Sequence, residues 1–151
     1  MYASVKTTAN QSTGGVTDGT FIAITGLQMA FTVEEDEMWC LLKIKALGSN
    51  ATALHRCDLD IKVDGAFISG QANGLAGATS QVLAATDWVE GSKLVRLSKG
   101  MHTASGWFKA DANTFVATVN GTVFPCELSV LRLSNNAVLA HGVDAKFQVT
   151  E

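Results

Sequence analysis

The stretch KLVRLSKGMHTASGWFKAD, residues 93–111, contains the residue types of a nucleophilic catalytic triad. His102, Ser105 and Asp111 could supply the base, the hydroxyl nucleophile and the orienting carboxylate of an acyl-transfer enzyme. The alternation of this stretch predicts strands, however, and residues three apart on a strand point to opposite faces. His102 and Ser105 should therefore face apart, and no strained G-x-S-x-G turn is present in the sequence. We expect no catalysis from this stretch and no enzymatic activity of the protein.

Metal binding is the second chemistry that the residue types allow. Three histidines lie on separate predicted strands or loops and could converge on a metal: His55, His102 and His141. No short H-x-H pair supports such a site. The spacing of Asp58, Asp60 and Asp64 lacks the glycine and the terminal glutamate of a calcium loop, and alternation assigns the first two to a solvent-exposed face. The acidic run at 34–37 is a solvated connection or, alternatively, a weak divalent-cation site between subunits. We expect no metal ion and no cofactor.

Composition indicates one domain with a large core and little surface charge. The chain has 151 residues, of which 47% are hydrophobic and 17% are charged, below the roughly 25% typical of soluble domains. Such a surface favours assembly with other chains. The net charge of -3 and the lack of a basic block argue against nucleic-acid binding. We expect no membrane association, since no apolar run approaches the ~20 residues of a membrane span, and the N-terminus does not resemble a signal peptide.

Three cysteines, Cys40, Cys57 and Cys126, fit neither a zinc pattern nor a disulfide framework at their wide spacings. Each falls on the inward side of a predicted strand. We therefore predict three small buried side chains, which suits a protein made in a reducing cytoplasm.

From Phe21 onward the apolar residues recur with a period of two, which predicts roughly nine to twelve short strands and no long helix. A glycine at position 26 predicts a break between two of these strands. Turns are predicted at the pairs Asp64-Gly65 and Asn120-Gly121, which accept positive φ, and at Gly100, where a glycine breaks the alternation between two strands. The five predicted turn residues are therefore Asp64, Gly65, Gly100, Asn120 and Gly121. The pattern predicts an all-β antiparallel sandwich or barrel.

The first twenty residues differ in composition from the rest. They are rich in Thr, Ser, Gly, Gln and Asn and cannot bury enough apolar surface to become ordered alone. We interpret residues 1–20 as an N-terminal arm and residues 21–151 as the β-sandwich domain. The arm could lie on a neighbouring subunit, add a strand to the edge of a sheet, or remain a flexible terminus.

Two segments carry a family resemblance. The first segment, LDIKVDGAFIS, is a predicted strand that ends in Asp-Gly and is followed by a short antiparallel strand. The second, LVRLSKGMHTASGWF, contains a predicted strand, the motif Gly-x-His-Thr and a further strand. With a final strand CELSVLRLS, they resemble the small jelly-roll modules of tailed-bacteriophage virions, which are themselves similar to tumour-necrosis-factor-like sandwiches. The resemblance spans about residues 20–133. It implies an antiparallel β-sandwich of jelly-roll type with an extended N-terminal arm, and structural rather than catalytic roles for Asp64, Gly65, Gly100, His102 and Thr103. The segment NNAVLAHGVDAKFQVTE continues past the expected last strand, as an added hairpin or a tail.

The resemblance implies a non-enzymatic virion structural protein. We expect a capsid decoration protein, made in the host cytoplasm, that binds the major capsid protein of a phage head as a homotrimer. The alternative is a receptor- or carbohydrate-binding module of a phage tail or fibre, which would need an exposed aromatic side chain. Trp88, near a predicted loop, is the candidate ligand-binding residue, ahead of Trp39 and Trp107. A cupin-like enzyme with a histidine-bound metal is a third, less favoured possibility.

Overall fold

Every regular element in the described part of the chain is a β-strand, which confirms the all-β prediction. The computed structural model describes residues 2–8, 10–13, 20–51, 54–79, 86–111, 117–122 and 124–133. The strands are β1 (Tyr2–Thr7), β2 (Asn10–Ser12), β3 (Ile22–Val33), β4 (Met38–Asn50), β5 (Arg56–Val63), β6 (Ala66–Phe67), β7 (Ala76–Thr79), β8 (Thr86–Leu97), β9 (Gly100–Ala110), β10 (Ala117–Asn120) and β11 (Cys126–Leu133).

These strands form two antiparallel sheets. The front sheet runs β1-β11-β4-β8, with β10 and β2 extending it beside the far end of β4. The back sheet runs β3-β9-β5, with β6 and β7 paired to different parts of β5. The first strand pairs with the last, β1 with β11, and β3 pairs with β9. The strands between them in the sequence pair in the same nested order, β4 with β8 and β5 with β7. This order is the connectivity of a jelly roll, a long hairpin rolled into a sandwich.

The core lies between the sheets and is built by the predicted alternation. In β4, Cys40, Leu42 and Ile44 are fully buried between the sheets. Lys43 and Lys45 alternate with them and point to the outer surface of the front sheet. Full burial of an aliphatic side chain such as Leu42 contributes roughly 1.5–3 kcal/mol, so this alternation fixes which face of β4 turns inward.

Asp58 and Asp60 depart from the predicted pattern. They were expected on a solvent-exposed face, but only 1% and 0% of their surface is exposed. The segment after β6 covers this part of the back sheet, where the Ser69 hydroxyl donates to Asp60 and the Leu75 amide donates to the Leu59 carbonyl at 2.8 Å. Alternation assigns a side chain to a face but does not show what lies on that face. The prediction of exposure was therefore wrong.

The predicted break at Gly26 is an irregularity inside one strand. β3 continues through it, with a register shift against β9 between Ala23 and Gln28. Gly26 has a φ of 76°, and a Cβ there would lie 3.0 Å from the Thr7 hydroxyl oxygen. Glycine thus permits the bulge that brings β3 against the edge of the front sheet.

The N-terminal residues contribute two strands to the front sheet. Tyr2–Thr7 pairs along its whole length with β11, and Asn10–Ser12 pairs with β10. Deleting residues 1–20 would therefore remove strands of this sheet. The C-terminal segment 134–151, with its predicted hairpin or tail, lies outside the described residues.

No helix long and apolar enough to cross a membrane occurs within the described ranges.

Candidate functional site

Trp88 and Phe124 form an exposed aromatic pair at one end of the front sheet. Their surfaces are 45% and 49% exposed. The ring centroids lie 5.2 Å apart, with the planes tilted by 50°. Trp88 belongs to β8, directly opposite Leu47 of β4, and Phe124 lies just before Pro125 and the start of β11. Two segments that are distant in sequence thus build one aromatic surface.

Charged groups lie beside this aromatic pair. The Lys45 ammonium is 4.3 Å from the centroid of the Trp88 ring, a cation–π contact. Glu90 lies opposite Lys45 in the register of β4 and β8. The hydrogen bond from Lys43 lowers the pKa of Glu90, which keeps this carboxylate charged at neutral pH. The site therefore combines aromatic rings with a fixed cation and a fixed anion.

This combination suits a ligand with one apolar face and a polar rim. The face of an aromatic ring carries partial negative charge and attracts the weakly positive hydrogens of C–H groups. A few polar groups around an apolar contact fix the orientation of the ligand. A pyranose sugar has this character, because its axial C–H groups form an apolar face and its hydroxyls form a hydrogen-bonding rim.

The other two tryptophans are less accessible. Trp39 and Trp107 are both half-buried, so Trp88 is the most exposed of the three. The Trp107 indole donates to the Ser105 hydroxyl at 2.9 Å, and the Lys62 ammonium lies 3.8 Å from its ring centroid. Its hydrogen-bonding and ring-face contacts are thus already made within the chain.

Trp107 belongs to an aromatic cluster on the outer side of the back sheet. Phe67 contacts both Phe21, at 4.9 Å, and Trp107, at 5.7 Å between ring centroids. Lys109 lies 5.1 Å from the Phe21 ring centroid and is itself buried. We interpret this cluster as packing that covers the back sheet.

A polar depression of about 220 Å³ lies at the edge of the same sheet, beside β5 and β7. It is lined in part by Arg56, Asp58 and Gly77. Burial raises the pKa of Asp58, although the hydrogen bond from Arg56, at 3.1 Å, opposes this effect. Because the carboxylate is paired with Arg56 inside the chain, the depression offers a weaker case for a ligand than the aromatic pair.

His102 is held between two hydrogen-bond acceptors. Its Nδ1 lies 2.7 Å from the Asp64 carboxylate and its Nε2 lies 2.8 Å from the Ser98 carbonyl oxygen. Both ring nitrogens can donate only when the imidazole is protonated. Burial lowers the pKa of His102, but the hydrogen bonds to Asp64 and Ser98 outweigh burial and the net pKa is raised. This contact ties the β5–β6 turn to β9.

The residues of the potential triad have other partners. Asp111 pairs with His55, whose Nδ1 lies 3.2 Å from the carboxylate. Ser105 accepts the hydrogen bond from Trp107. His102 is bound to Asp64 instead of Ser105. The structure therefore does not bring base, nucleophile and carboxylate together.

The potential metal ligands are similarly dispersed. Within the described ranges, no group of three or more His, Cys, Asp or Glu side chains could hold a metal ion. His55 and His102 are paired with different carboxylates, and His141 lies outside the described residues. Glu37, in the acidic run, forms an ion pair with Arg96 at 2.6 Å.

The three cysteines are buried free thiols, as predicted: Cys40, Cys57 and Cys126. Burial raises the pKa of Cys57 to about 12, so its reactive thiolate form is scarce at neutral pH.

The predicted turn residues lie at ends of strands. Asp64 and Gly65, with φ of 49° and 84°, connect β5 to β6, which is the backbone conformation of a tight hairpin turn. Gly100, with a φ of 144°, opens β9. Asn120 is the last residue of β10 and Gly121 follows it.

Two components of the aromatic site were missed by the sequence analysis. Trp88 was a candidate, but nothing in the sequence joined it to Phe124, 36 positions later, or to Lys45. Phe124 directly precedes Pro125, a residue type that is found near the start of strands, but this local signal does not show which other strand Phe124 meets. The jelly-roll pairing brings these residues together.

Comparisons with known proteins show similarity to solved structures only at the level of the fold. No protein-family model and no curated protein matches the chain. Among solved structures, the chain is similar to the native structure of a family 35 carbohydrate binding module from Clostridium thermocellum. The identity is 17% and the TM-score 0.38, over 87% of this chain and 90% of that chain.

Proposed function

We propose that the protein is a non-enzymatic module that binds a carbohydrate at the Trp88–Phe124 pair. The observation that carries the proposal is the exposure of both rings, 45% and 49%, on a rigid two-sheet scaffold. Large aromatic side chains are usually buried to a greater degree. Two adjacent exposed rings therefore favour a role in contacting a ligand.

The surroundings of the pair support a neutral, hydroxylated ligand. Lys45 and Glu90 offer one hydrogen-bond donor group and one acceptor group beside the rings. Their opposite charges do not favour a strongly anionic or strongly cationic ligand. The net charge of -3 likewise gives no long-range attraction for nucleic acid.

A glycan array followed by calorimetric titration of the best glycan tests this proposal. Trp88→Ala should weaken binding at least about tenfold, since removing a central aromatic contact typically costs about 2 kcal/mol or more. Phe67→Ala is the matched control, because Phe67 is a 37% exposed aromatic residue on the other sheet. Unchanged binding by Trp88→Ala, or equal loss in both variants, would refute a site at this pair.

The second candidate is the structural function expected from the resemblance, a capsid decoration protein that binds the major capsid protein of a phage head as an oligomer. The observation that favours it is the exposure of apolar residues on the outer surface of the front sheet, including Tyr2, Leu94 and Leu131. Exposed apolar patches mark sites of association with other proteins. This candidate places the protein in the virion.

Cosedimentation of the purified protein with empty phage heads tests the second candidate. Because β1 and β2 are strands of the front sheet, a surface substitution is a cleaner probe than deletion of residues 1–20. Leu94→Asp should reduce cosedimentation if oligomer formation is needed for capsid binding. Equal cosedimentation of the wild type with heads and with an unrelated particle would argue against decoration.

A further inference from the structure

The outer surface of the front sheet carries an apolar row that crosses all four of its main strands. Tyr2 lies opposite Leu131, Leu131 opposite Leu41, and Leu41 opposite Leu94. Tyr2 is 58% exposed, Leu94 44% and Leu131 37%. The row is therefore continuous from β1 to β8, and most of it faces outward.

A second row on the same surface alternates in charge. Lys6 lies opposite Glu127, Glu127 opposite Lys45, and Lys45 opposite Glu90. Read in the order β1-β11-β4-β8, the charges are positive, negative, positive and negative. This charged row lies four residues along the strands from the apolar row, roughly 13 Å away at the rise of an extended chain.

We propose that two copies of the protein form a dimer by packing these surfaces face to face about a two-fold axis parallel to the strands, between β4 and β11. A two-fold axis makes each contact occur twice. This axis sets β1 of one copy over β8 of the other, and β11 over β4. Lys6 then faces Glu90 of the other copy, and Glu127 faces Lys45 of the other copy. All four charges of the charged row meet an opposite charge, whereas Lys43, which lies between the two rows opposite Ser129, keeps its ion pair with Glu90.

The same operation matches the apolar row with itself. Tyr2 faces Leu94 of the other copy, and Leu131 faces Leu41 of the other copy. Two sheets stacked in this way keep their strands roughly aligned and interdigitate their side chains about 10 Å apart, as in a β-sandwich. Every exposed leucine of the row would thus be covered by apolar surface.

Other two-fold axes do not give this match. An in-plane axis perpendicular to the strands and centred on the charged row would place Lys6 on Lys6 and Glu127 on Glu127. The same axis centred between the rows would place charges on leucines. Like-charge contacts and unpaired buried charges both oppose association. The same axis centred on the apolar row would cover that row with itself but would leave the charged row without opposite charges. Of these axes, only the strand-parallel one matches both rows.

The shortest strands limit the size of the shared surface. β1 is six residues long and β11 eight, and the proposed axis lays them over β8 and β4 of the other copy. At about 4.8 Å between strands and about 3.3 Å per residue, the overlap measures roughly 19 by 20–26 Å, or about 400–500 Å². Standard specific interfaces bury about 800 Å² per partner, so we expect a weak dimer whose population depends on protein concentration.

The existing ion pairs within one chain do not prevent the charged side chains of this surface from pairing with those of the other copy. Lys6 lies 3.6 Å from Glu127, and Lys43 lies 2.7 Å from Glu90, within one chain. Glu127 also accepts a hydrogen bond from the Tyr2 hydroxyl at 3.0 Å, so Tyr2 links the two rows. Ion pairs on a surface contribute little to stability. In the dimer, Glu127 and Glu90 would each gain a second cation from the other copy beside their partners in the same chain.

The proposed dimer shares two side chains with the carbohydrate proposal. Lys45 and Glu90 belong to the charged row and also lie beside Trp88, which is two residues from Glu90 along β8. Leu94, in the apolar row, is six residues from Trp88, roughly 20 Å away. Leu94→Asp and Trp88→Ala therefore separate the two proposals: sedimentation of the first variant reports the dimer, and glycan titration of the second reports the aromatic site.

The test is sedimentation equilibrium with two charge-reversal variants. The wild type should be a dimer. Glu90→Lys places a lysine over Lys6 of the other copy, and Lys6→Glu places a glutamate over Glu90, so each variant alone should dissociate at least about tenfold more readily. In a mixture, the lysine introduced at 90 faces the glutamate introduced at 6, and the remaining Lys6 faces the remaining Glu90. An equimolar mixture should therefore recover a dimer containing one copy of each variant.

Controls separate loss of the interface from loss of the fold. Leu94→Asp should also give a monomer, whereas Met101→Asp, at a 78% exposed position on the other sheet, should leave the dimer intact. Circular dichroism should show the same strand content for all variants. A monomeric or trimeric wild type, or variants that stay monomeric when mixed, would overturn the proposal.

Discussion

The contact between His102 and Asp64 predicts that the protein loses stability as the pH rises through the raised pKa of His102. The imidazole is 8% exposed and hydrogen-bonded by both nitrogens to oxygen acceptors. Because the folded-state pKa of His102 lies above its unfolded value, folding is favoured by protonation of the ring. The stabilisation is fully present below a pH of about 6.5, the unfolded pKa. It is lost as the pH passes through the raised folded-state pKa.

The expected magnitude follows from one charge-assisted hydrogen bond. Such a bond contributes about 1.5–3 kcal/mol when well shielded. The Asp64 side chain is 49% exposed, so screening reduces the value and we expect about 1–2 kcal/mol. For a chain of this size, that corresponds to a fall of roughly 2–8 °C in Tm.

Calorimetry of the wild type and Asp64→Asn between pH 6 and pH 9 measures this effect. Asparagine accepts the positive φ of 49° at this turn, so the variant keeps the backbone while removing the negative charge. The wild type should lose stability over this range, and Asp64→Asn should show a much flatter profile. The same fall of Tm in both proteins, or a rise in the wild type, would refute the assignment of a protonated His102.

Two further predictions concern the core and a turn. Phe108→Ala removes a fully buried ring and should lower the free energy of unfolding, measured by urea denaturation, by about 3–5 kcal/mol. A loss of less than about 1 kcal/mol would show that Phe108 does not lie in a packed core. Gly65→Ala meets no atom within 4 Å but forces alanine to a φ of 84°, so it should cost about 1–2 kcal/mol through backbone strain alone. Equal stability of Gly65→Ala and the wild type would contradict the left-handed turn.

The sequence predicted the fold class because alternation and turn residues are local signals. The inward residues of β4 and β5, such as Leu42, Ile44, Leu59 and Ile61, were assigned to the correct face, since a period of two is imposed by the strand itself. The jelly-roll connectivity came from the resemblance, because alternation does not specify which strands pair.

The errors and omissions concern what lies on each outer surface. Asp60 is buried because a segment nine residues later folds back over it, and no local pattern of β5 encodes that contact. Phe124 joins Trp88 only because β11 pairs with β4 while β8 pairs with its other side. Long-range pairing therefore decides the site, and a single sequence read segment by segment does not reveal it.

The two outer surfaces of the sandwich differ in a way that bears on assembly. On the back sheet the chain covers itself: Phe67 and Phe21 pack over Trp107 and Lys62, and Ser69 binds a buried aspartate. On the front sheet the apolar row remains partly exposed, with polar side chains along one side of it. A jelly roll needs only its inner faces to fold, so the exposed fraction of these leucines contributes nothing to the isolated monomer. That fraction contributes free energy only when another surface covers it. The alternating charges beside them restrict that surface to one with the opposite order of charge, and a second copy rotated about the strand direction presents that order.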